Sequence, residues 1–318
     1  MYPELDPYHT DCLDVGDGHS LYFEECGNPD GVPVVYLHGG PGGGIHPDMR
    51  RFFNPDYFRI ILFDQRGCGK SEPYGALENN DIEHLVEDIE KLRCHLDIDQ
   101  WFVVGGSWGS TLALFYVVDY PERVMGMALS GICFGDRNGV DWLAEEGGAS
   151  EIMPEWFAPY RDFIPPAKRK NGLVKAYYDI IQNGTDESVL EATKRAIMWD
   201  TAILRFELPV ERIKHVEDHP EEYVALFKLW IHFSNNFYGP ENKEKILNGV
   251  KGLGQIPCYI IHGRFDLICP VKSAFELHEA FPNSYLYVLE KTGHTMREPN
   301  ISEKLVEVTD KWASSAAW

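Results

Sequence analysis

Seven short apolar runs along the chain predict the strands of a β-sheet. They cover residues 20–24, 33–37, 58–63, 101–104, 124–129, 257–261 and 285–289. In the last five runs, valine, isoleucine, leucine and aromatic residues follow one another instead of alternating with polar residues. That pattern is typical of strands covered on both faces in a parallel sheet. We therefore expect helices between these strands.

Helical spacing is clearest over residues 81–96, where leucine and isoleucine recur on one face and Asn80 or Asp81 can cap the start. A second helix is predicted to begin at Ser107, directly after a strand, and to stop before Pro121. The sequence thus predicts a strand, a tight turn and a helix in immediate succession.

The pattern changes between about residues 136 and 249, where strand-like runs are replaced by helical segments. The clearest of these segments cover residues 175–182, 188–199 and 222–233. Because strand-like runs resume at 257, we interpret the helical stretch as an insertion. We predict one catalytic domain from residues 1–135 and 250–318, roofed by a helical cap domain of residues 136–249.

Composition limits the partners that this chain can have. Its 318 residues are 44% hydrophobic, enough for one large core plus an insertion. The net charge of -21 disfavours nucleic acid and anionic membranes, because both need clustered lysine and arginine. The acidic composition indicates either that the surface charge serves solubility or that its electrostatic field attracts cationic substrates. The net charge alone does not distinguish these two interpretations.

The cysteines and the amino-terminal residues indicate a cytoplasmic protein. The seven cysteines are odd in number and form no C-x-x-C pair or metal-finger spacing, so reduced thiols are expected. The first residues have no basic segment followed by an apolar one, and no segment reaches membrane-spanning length.

Ser107 lies in the run 105–109, which has the G-x-S-x-G pattern of a nucleophile elbow. Serine is a weak nucleophile until a histidine accepts its proton and a carboxylate orients that histidine. Asp266 and His294 each follow a predicted strand, and the order Ser, Asp, His is that of the α/β hydrolases. We therefore predict a catalytic triad of Ser107, Asp266 and His294.

An oxyanion hole requires backbone N–H groups near the serine. The N–H of Trp108 is one natural donor, and the glycine-rich loop 38–44 should supply the other. This loop has no Lys-Ser or Lys-Thr pair, and the run 69–71, which does end like a phosphate-binding loop, has Asp64 where that motif needs glycine. Nucleotide binding is therefore rejected. The histidines show no metal-binding spacing, so no metal is expected.

The runs 38–47 and 64–71, the elbow through Leu114, and the loops of Asp266 and His294 together closely resemble the proline iminopeptidases. This family consists of serine peptidases of the α/β-hydrolase fold, with a mostly parallel central sheet, helices on both faces and an inserted helical cap. The resemblance covers nearly all of residues 1–130 and again about 257–299.

The resemblance implies release of N-terminal proline from small peptides without a cofactor. In that mechanism Ser107 attacks the substrate, His294 acts as base and then as acid, Asp266 orients His294, and the N–H groups of Gly40 and Trp108 form the oxyanion hole. The implied substrates are small peptides with a free N-terminal proline.

The resemblance also suggests substrate-binding residues, with departures from the family pattern. Asp200 stands in place of a family glutamate that binds the substrate's ammonium group, whereas His232 stands where a second glutamate is expected. Cys133 and Leu143 replace aromatic residues of the proline pocket. These departures leave open a broader aminopeptidase or an esterase or amidase on the same triad, with a non-catalytic binding protein as a more remote alternative.

Overall fold

A computed structural model describes residues 1–314 as a single eight-stranded sheet with helices around it. The strands are β1 His9–Gly16, β2 His19–Gly27, β3 Val32–Leu37, β4 Phe58–Phe63, β5 Trp101–Gly106, β6 Val124–Ser130, β7 Cys258–Gly263 and β8 Ser284–Leu289. The helices are α1 Ile82–His95, α2 Trp108–Asp119, α3 Arg137–Ala144, α4 Pro154–Phe163, α5 Leu173–Asn183, α6 Asp186–Ala202, α7 Val210–Asp218, α8 Val224–Asn236, α9 Pro240–Gly249, α10 Val271–Ala280 and α11 Pro299–Ser314.

The strand order is β1-β2-β4-β3-β5-β6-β7-β8. Strands β3 to β8 run parallel to one another, whereas at one edge β2 is antiparallel to β4 and β1 is antiparallel to β2. The seven predicted strands are confirmed. Since the carboxyl ends of parallel strands meet at one edge of the sheet, the loops after β3, β5, β7 and β8 converge there.

Two features of the sheet differ from the sequence prediction. The first strand, β1, was not predicted, because its residues are largely exposed and include no apolar run. The prediction that the last strand is covered on both faces is wrong, since β8 pairs only with β7 and its residues are half-buried or exposed.

Helices α1 and α2 confirm the two helices predicted near the elbow. Asp81 caps α1, its side chain accepting a hydrogen bond from the N–H of His84. Helix α2 is buried on every side from Trp108 to Val117, which explains why its sequence is almost entirely apolar. It extends directly from the carboxyl end of β5.

From residue 137 to 249 the described chain forms helices α3 to α9 and short 3-10 turns. This stretch has a hydrophobic core of its own, separate from the two cores that flank the sheet. Ile268 and Cys269, from the loop after β7, join that core and so attach it to the sheet. The division into catalytic and cap domains stays a prediction. No helix of the described chain is long and apolar enough to cross a membrane.

Candidate active site

Ser107 occupies a strained turn between β5 and α2. Its backbone has φ 57° and ψ -126°, a left-handed conformation that is costly for a residue other than glycine. The glycines two residues away make this turn possible. A Cβ atom at Gly105 would lie 2.3 Å from the carbonyl oxygen of Gly109, and one at Gly109 would lie 2.0 Å from that of Leu37. The turn therefore excludes side chains at both positions.

His294 and Asp266 are joined by a buried hydrogen bond. The distance from His294 Nδ1 to Asp266 Oδ2 is 2.8 Å. The other carboxylate oxygen, Oδ1, accepts hydrogen bonds from the N–H groups of Ile268 at 3.0 Å and Cys269 at 2.8 Å. Asp266 is thus fixed from both sides, and it fixes the tautomer of His294 with Nδ1 protonated and Nε2 free to accept a proton.

The electrostatics of this pair suit a general base. Burial acts to lower the pKa of His294, but the charge of Asp266 and the hydrogen bond to it outweigh burial and raise the pKa above its usual value. For Asp266, burial acts to raise the pKa, while His294 and the other neighbours prevail and lower it. Asp266 therefore stays ionised and is placed to stabilise an imidazolium at His294.

His294 lies beside the elbow in the same cavity as Ser107. Gly131 allows this approach, since a Cβ atom there would lie 2.8 Å from His294 Cε1. Within residues 1–314 no hydrogen bond joins Ser107 Oγ to His294. Such bonds are often long before substrate binds and tighten in the complex, so this geometry is compatible with proton transfer.

The two predicted oxyanion donors are held in place by one glutamine, Gln65. Its Nε2 donates to the carbonyl oxygen of His38 at 2.9 Å, and its Oε1 accepts from the indole Nε1 of Trp108 at 2.9 Å. His38 begins the glycine-rich loop 38–44, which contains Gly40, and Trp108 follows Ser107. Gln65 therefore connects the two segments whose N–H groups would face a developing oxyanion.

His38, Asp64 and Cys68 lie close enough together to suggest a metal site. Their ligand atoms are already used within the protein. His38 Nε2 accepts the N–H of Gln65 at 3.1 Å, and the Asp64 oxygens accept the N–H groups of Ile45 at 2.7 Å and Lys70 at 2.8 Å. We interpret this cluster as a brace for the glycine-rich loop.

Two adjoining cavities meet at Ser107. An inner cavity of about 40 Å³ has mostly apolar walls and one carboxylate, Asp136, which accepts a hydrogen bond from the N–H of Gly139. An outer cavity of about 190 Å³ contains several charged side chains. The residues that line both are Gly40, Ser107, Leu143, Trp230 and Ile268. Ser107 therefore lies where the two cavities meet, with Asp200, Arg212 and Arg297 among the residues of the outer one.

Of the four predicted substrate-binding residues, the structure brings three to these cavities. Cys133 and Leu143 line the inner cavity, and Asp200 lines the outer one. His232 lines neither of them; its Nε2 hydrogen-bonds with the carbonyl oxygen of Asn80 at 3.1 Å, away from Ser107.

The cavity also contains residues that sequence reasoning missed. Trp230 and Ser234, four residues apart on α8, face the inner cavity together with Tyr238. Helical spacing could have indicated the first two, since residues four apart share a face whereas residues two apart, such as 230 and 232, do not.

Asp200 is an unpaired carboxylate. Within residues 1–314 it makes no hydrogen bond or ion pair, and it lies in the last turn of α6, where the helix dipole disfavours a negative charge. Burial raises the pKa of Asp200, although the charges of His294 and Arg212 act to lower it. A cation bound beside Asp200 would relieve this unfavourable environment.

Comparisons with known proteins give a consistent result. The family model described as alpha/beta hydrolase fold matches residues 32–298. A proline iminopeptidase of Arabidopsis thaliana is 43% identical, covering 98% of this chain and 81% of its own, and one of Neisseria gonorrhoeae is 41% identical, covering 98% of each.

Solved structures with lower identity show the same fold. A haloalkane dehalogenase loop variant from Bradyrhizobium elkanii has a TM-score of 0.67 at 18% identity and covers 96% of each chain. An esterase from Exiguobacterium antarcticum has a TM-score of 0.61 at 20% identity, covering 99% of this chain and 100% of its own.

Proposed function

Because the chain belongs to the α/β-hydrolase family, and within it to the proline iminopeptidases, we propose that it is a serine aminopeptidase releasing N-terminal proline from small peptides. The observation that carries the proposal is the unpaired Asp200 in the same cavity as Ser107 and His294. A serine and a histidine would serve any serine hydrolase, whereas a carboxylate beside them selects a substrate with a cation next to the scissile bond. The N-terminal ammonium group of a peptide is such a cation.

In the proposed reaction His294 Nε2 accepts the proton of Ser107 Oγ as that oxygen attacks the carbonyl carbon of the first residue. The carbonyl oxygen becomes negative and receives hydrogen bonds from the N–H groups of Gly40 and Trp108. Within residues 1–314 neither N–H donates to another acceptor, so both are available. Asp266 stabilises the imidazolium throughout.

The tetrahedral intermediate then collapses. His294 gives the proton to the leaving amine, the C–N bond breaks, and the proline acyl group stays on Ser107 as an ester. Water, deprotonated by the same histidine, attacks this ester and releases free proline. No metal or other cofactor takes part in the proposed sequence.

We assign the apolar inner cavity to the proline ring. Cys133, Leu143, Ile268 and Trp230 supply its apolar walls, and it opens at Ser107, where the proline carbonyl must lie. The proline nitrogen, which is cationic when it is the free terminus, would then be directed toward Asp200. An acyl group on that nitrogen would remove the charge and weaken binding.

We also propose that residues 136–249 act as the cap domain over this site and that the protein works in the cytoplasm. The cap residues Leu143, Asp200 and Trp230 line the cavities, which supports the first proposal. All seven cysteines are free thiols, which supports a reducing compartment.

The test compares three chromogenic substrates: proline p-nitroanilide, alanine p-nitroanilide and N-acetyl-proline p-nitroanilide. We expect the highest kcat/KM for the first and almost no turnover of the third. Equal turnover of the blocked and free proline substrates would contradict an aminopeptidase and favour an amidase or esterase on the same triad. Equal turnover of the two free amino acids would indicate a broader aminopeptidase.

A further inference from the structure

Three arginines that have no ion-pair partner within residues 1–314 line the outer cavity or a depression beside it. Arg212 and Arg297 line that cavity with Ser107 and His294, and Arg205 joins them around an adjoining depression. Every other arginine of the chain lies within ion-pair distance of a carboxylate. The net charge of the protein is -21, yet the guanidinium groups that lack an ion pair in the described part of the chain all lie in this one region.

Nearby carboxylates do not neutralise this cluster. Asp48, which also lines the outer cavity, pairs with Arg51 at 3.0 Å. Glu298 uses Oε1 to accept the N–H groups of Phe206 at 2.8 Å and Gly293 at 3.3 Å. Asp200 also lines the outer cavity, and its charge interacts with that of Arg212, as the charge of Asp48 does with that of Arg297. Within residues 1–314, however, no carboxylate forms an ion pair with any of the three arginines, so they keep an excess of positive charge beside the substrate cavity.

The surroundings of the three arginines destabilise their positive charge, and a bound anion would offset this effect. Arg212 lies in the first turn of α7, where the helix dipole already contributes partial positive charge. The Arg205 guanidinium donates a hydrogen bond of 3.4 Å to the carbonyl oxygen of Arg297, which holds the Arg205 side chain against the backbone of residue 297. Burial and the charges of Arg212 and Arg205 all act to lower the pKa of Arg297, the charges through a repulsion that a bound anion would offset.

We propose that Arg212 and Arg297, supported by Arg205, bind the C-terminal carboxylate of a short peptide substrate. This inference rests on the proposed function. The outer cavity would then hold both charges of a zwitterionic peptide, the ammonium group at Asp200 and the carboxylate at the arginines. Guanidinium groups suit this task because their planar N–H donors match the two oxygens of a carboxylate. The preferred substrates are therefore short peptides with a free C-terminus.

The experiment uses matched peptides that differ only at the C-terminus. Pro-Ala, Pro-Ala-Ala and Pro-Ala-Ala-Ala are each compared with their C-terminal amides, and kcat/KM is measured from the proline released. We expect the free acid to exceed the amide by about tenfold or more at one of the three lengths, as for a lost charge-assisted hydrogen bond. Ratios within about twofold at every length overturn the proposal.

Variants identify the residues responsible. Arg212→Gln and Arg297→Gln should each bring the acid-to-amide ratio at the preferred length toward one. Arg195→Gln is the matched control, because it makes the same change in net charge at a surface arginine that pairs with Glu191. The control should keep the wild-type ratio. An unchanged ratio in both cavity variants overturns the assignment.

Two further substrates separate this inference from its competitors. Pro-Glu-Ala amide and Pro-Gln-Ala amide test whether the arginines bind an acidic side chain. If the glutamate peptide is cleaved faster than the glutamine peptide, while free acids and C-terminal amides are cleaved equally, the assignment to the C-terminal carboxylate is overturned. Proline p-nitroanilide carries no carboxylate. If it is not cleaved, the proposed function itself fails, whereas cleavage with equal rates for acids and amides overturns only this inference.

Discussion

Replacing Gln65 with alanine should impair both folding and catalysis. Gln65 is buried, and its amide satisfies two buried groups, the indole N–H of Trp108 and the carbonyl oxygen of His38. Each buried polar group left without a partner costs about 1–3 kcal/mol, so Gln65→Ala should lower the free energy of unfolding by about 2–6 kcal/mol. The two segments that carry the oxyanion donors also lose their connection, and we expect kcat to fall by up to about a hundredfold.

Urea unfolding measures the stability change, and turnover of proline p-nitroanilide measures kcat. Gln65→Glu provides an intermediate case, because a carboxylate can still accept from Trp108 but cannot donate to His38. The control is Gln100→Ala, which removes an exposed amide that donates to the carbonyl oxygen of Glu122 at 2.6 Å. The control should change stability by less than about 0.5 kcal/mol. If Gln65→Ala behaves like the control in both assays, the bracing role of Gln65 is refuted.

Three further variants test other parts of the site. Asp266 raises the pKa of His294, and a protonated His294 cannot act as a base. The kcat of the wild type should therefore fall as the pH drops through that raised pKa. Asp266→Asn should shift this acidic limb of the pH profile to lower pH and reduce kcat by about 10⁴-fold. An unshifted limb would contradict the pairing. Asp200→Asn should reduce the discrimination between free and N-acetylated substrates by about 2–5 kcal/mol. It should not lower the free energy of unfolding, because the carboxylate of Asp200 has no partner within residues 1–314. A marked loss of stability in urea unfolding, or unchanged discrimination, would argue against this role. Cys133 and Cys269 both line the inner cavity, and Cys133 is the more exposed of the two. Thiol reagents should therefore inhibit through Cys133, and Cys133→Ser rather than Cys269→Ser should abolish the inhibition. The reverse result would point to Cys269.

The parts of the site that sequence predicted well are those with local causes. The elbow could be read from the run 105–109, because the strain at Ser107 is relieved by glycines two residues away. Asp266 and His294 could be placed because each follows an apolar strand, and parallel strands bring the loops at their carboxyl ends together. Their hydrogen bond follows from that topology.

The parts that sequence missed depend on contacts between distant segments. His232 was aligned by motif, yet the face of α8 that packs toward Ser107 is the one carrying Trp230 and Ser234. The bridging role of Gln65 joins the loops after β3, β4 and β5, which no local pattern reveals. Within residues 1–314 the three arginines of the cluster have no ion pair, because carboxylates near them, such as Asp48, bind other groups, and this too depends on contacts between distant segments.

The most direct test of the account is the turnover of proline p-nitroanilide by Ser107→Ala, after circular dichroism has shown that the variant is folded. The account predicts a loss of about 10⁵-fold to 10⁶-fold in kcat, because Ser107 forms the covalent bond and the triad acts as a unit. Turnover within about tenfold of the wild type would contradict it and place the nucleophile elsewhere.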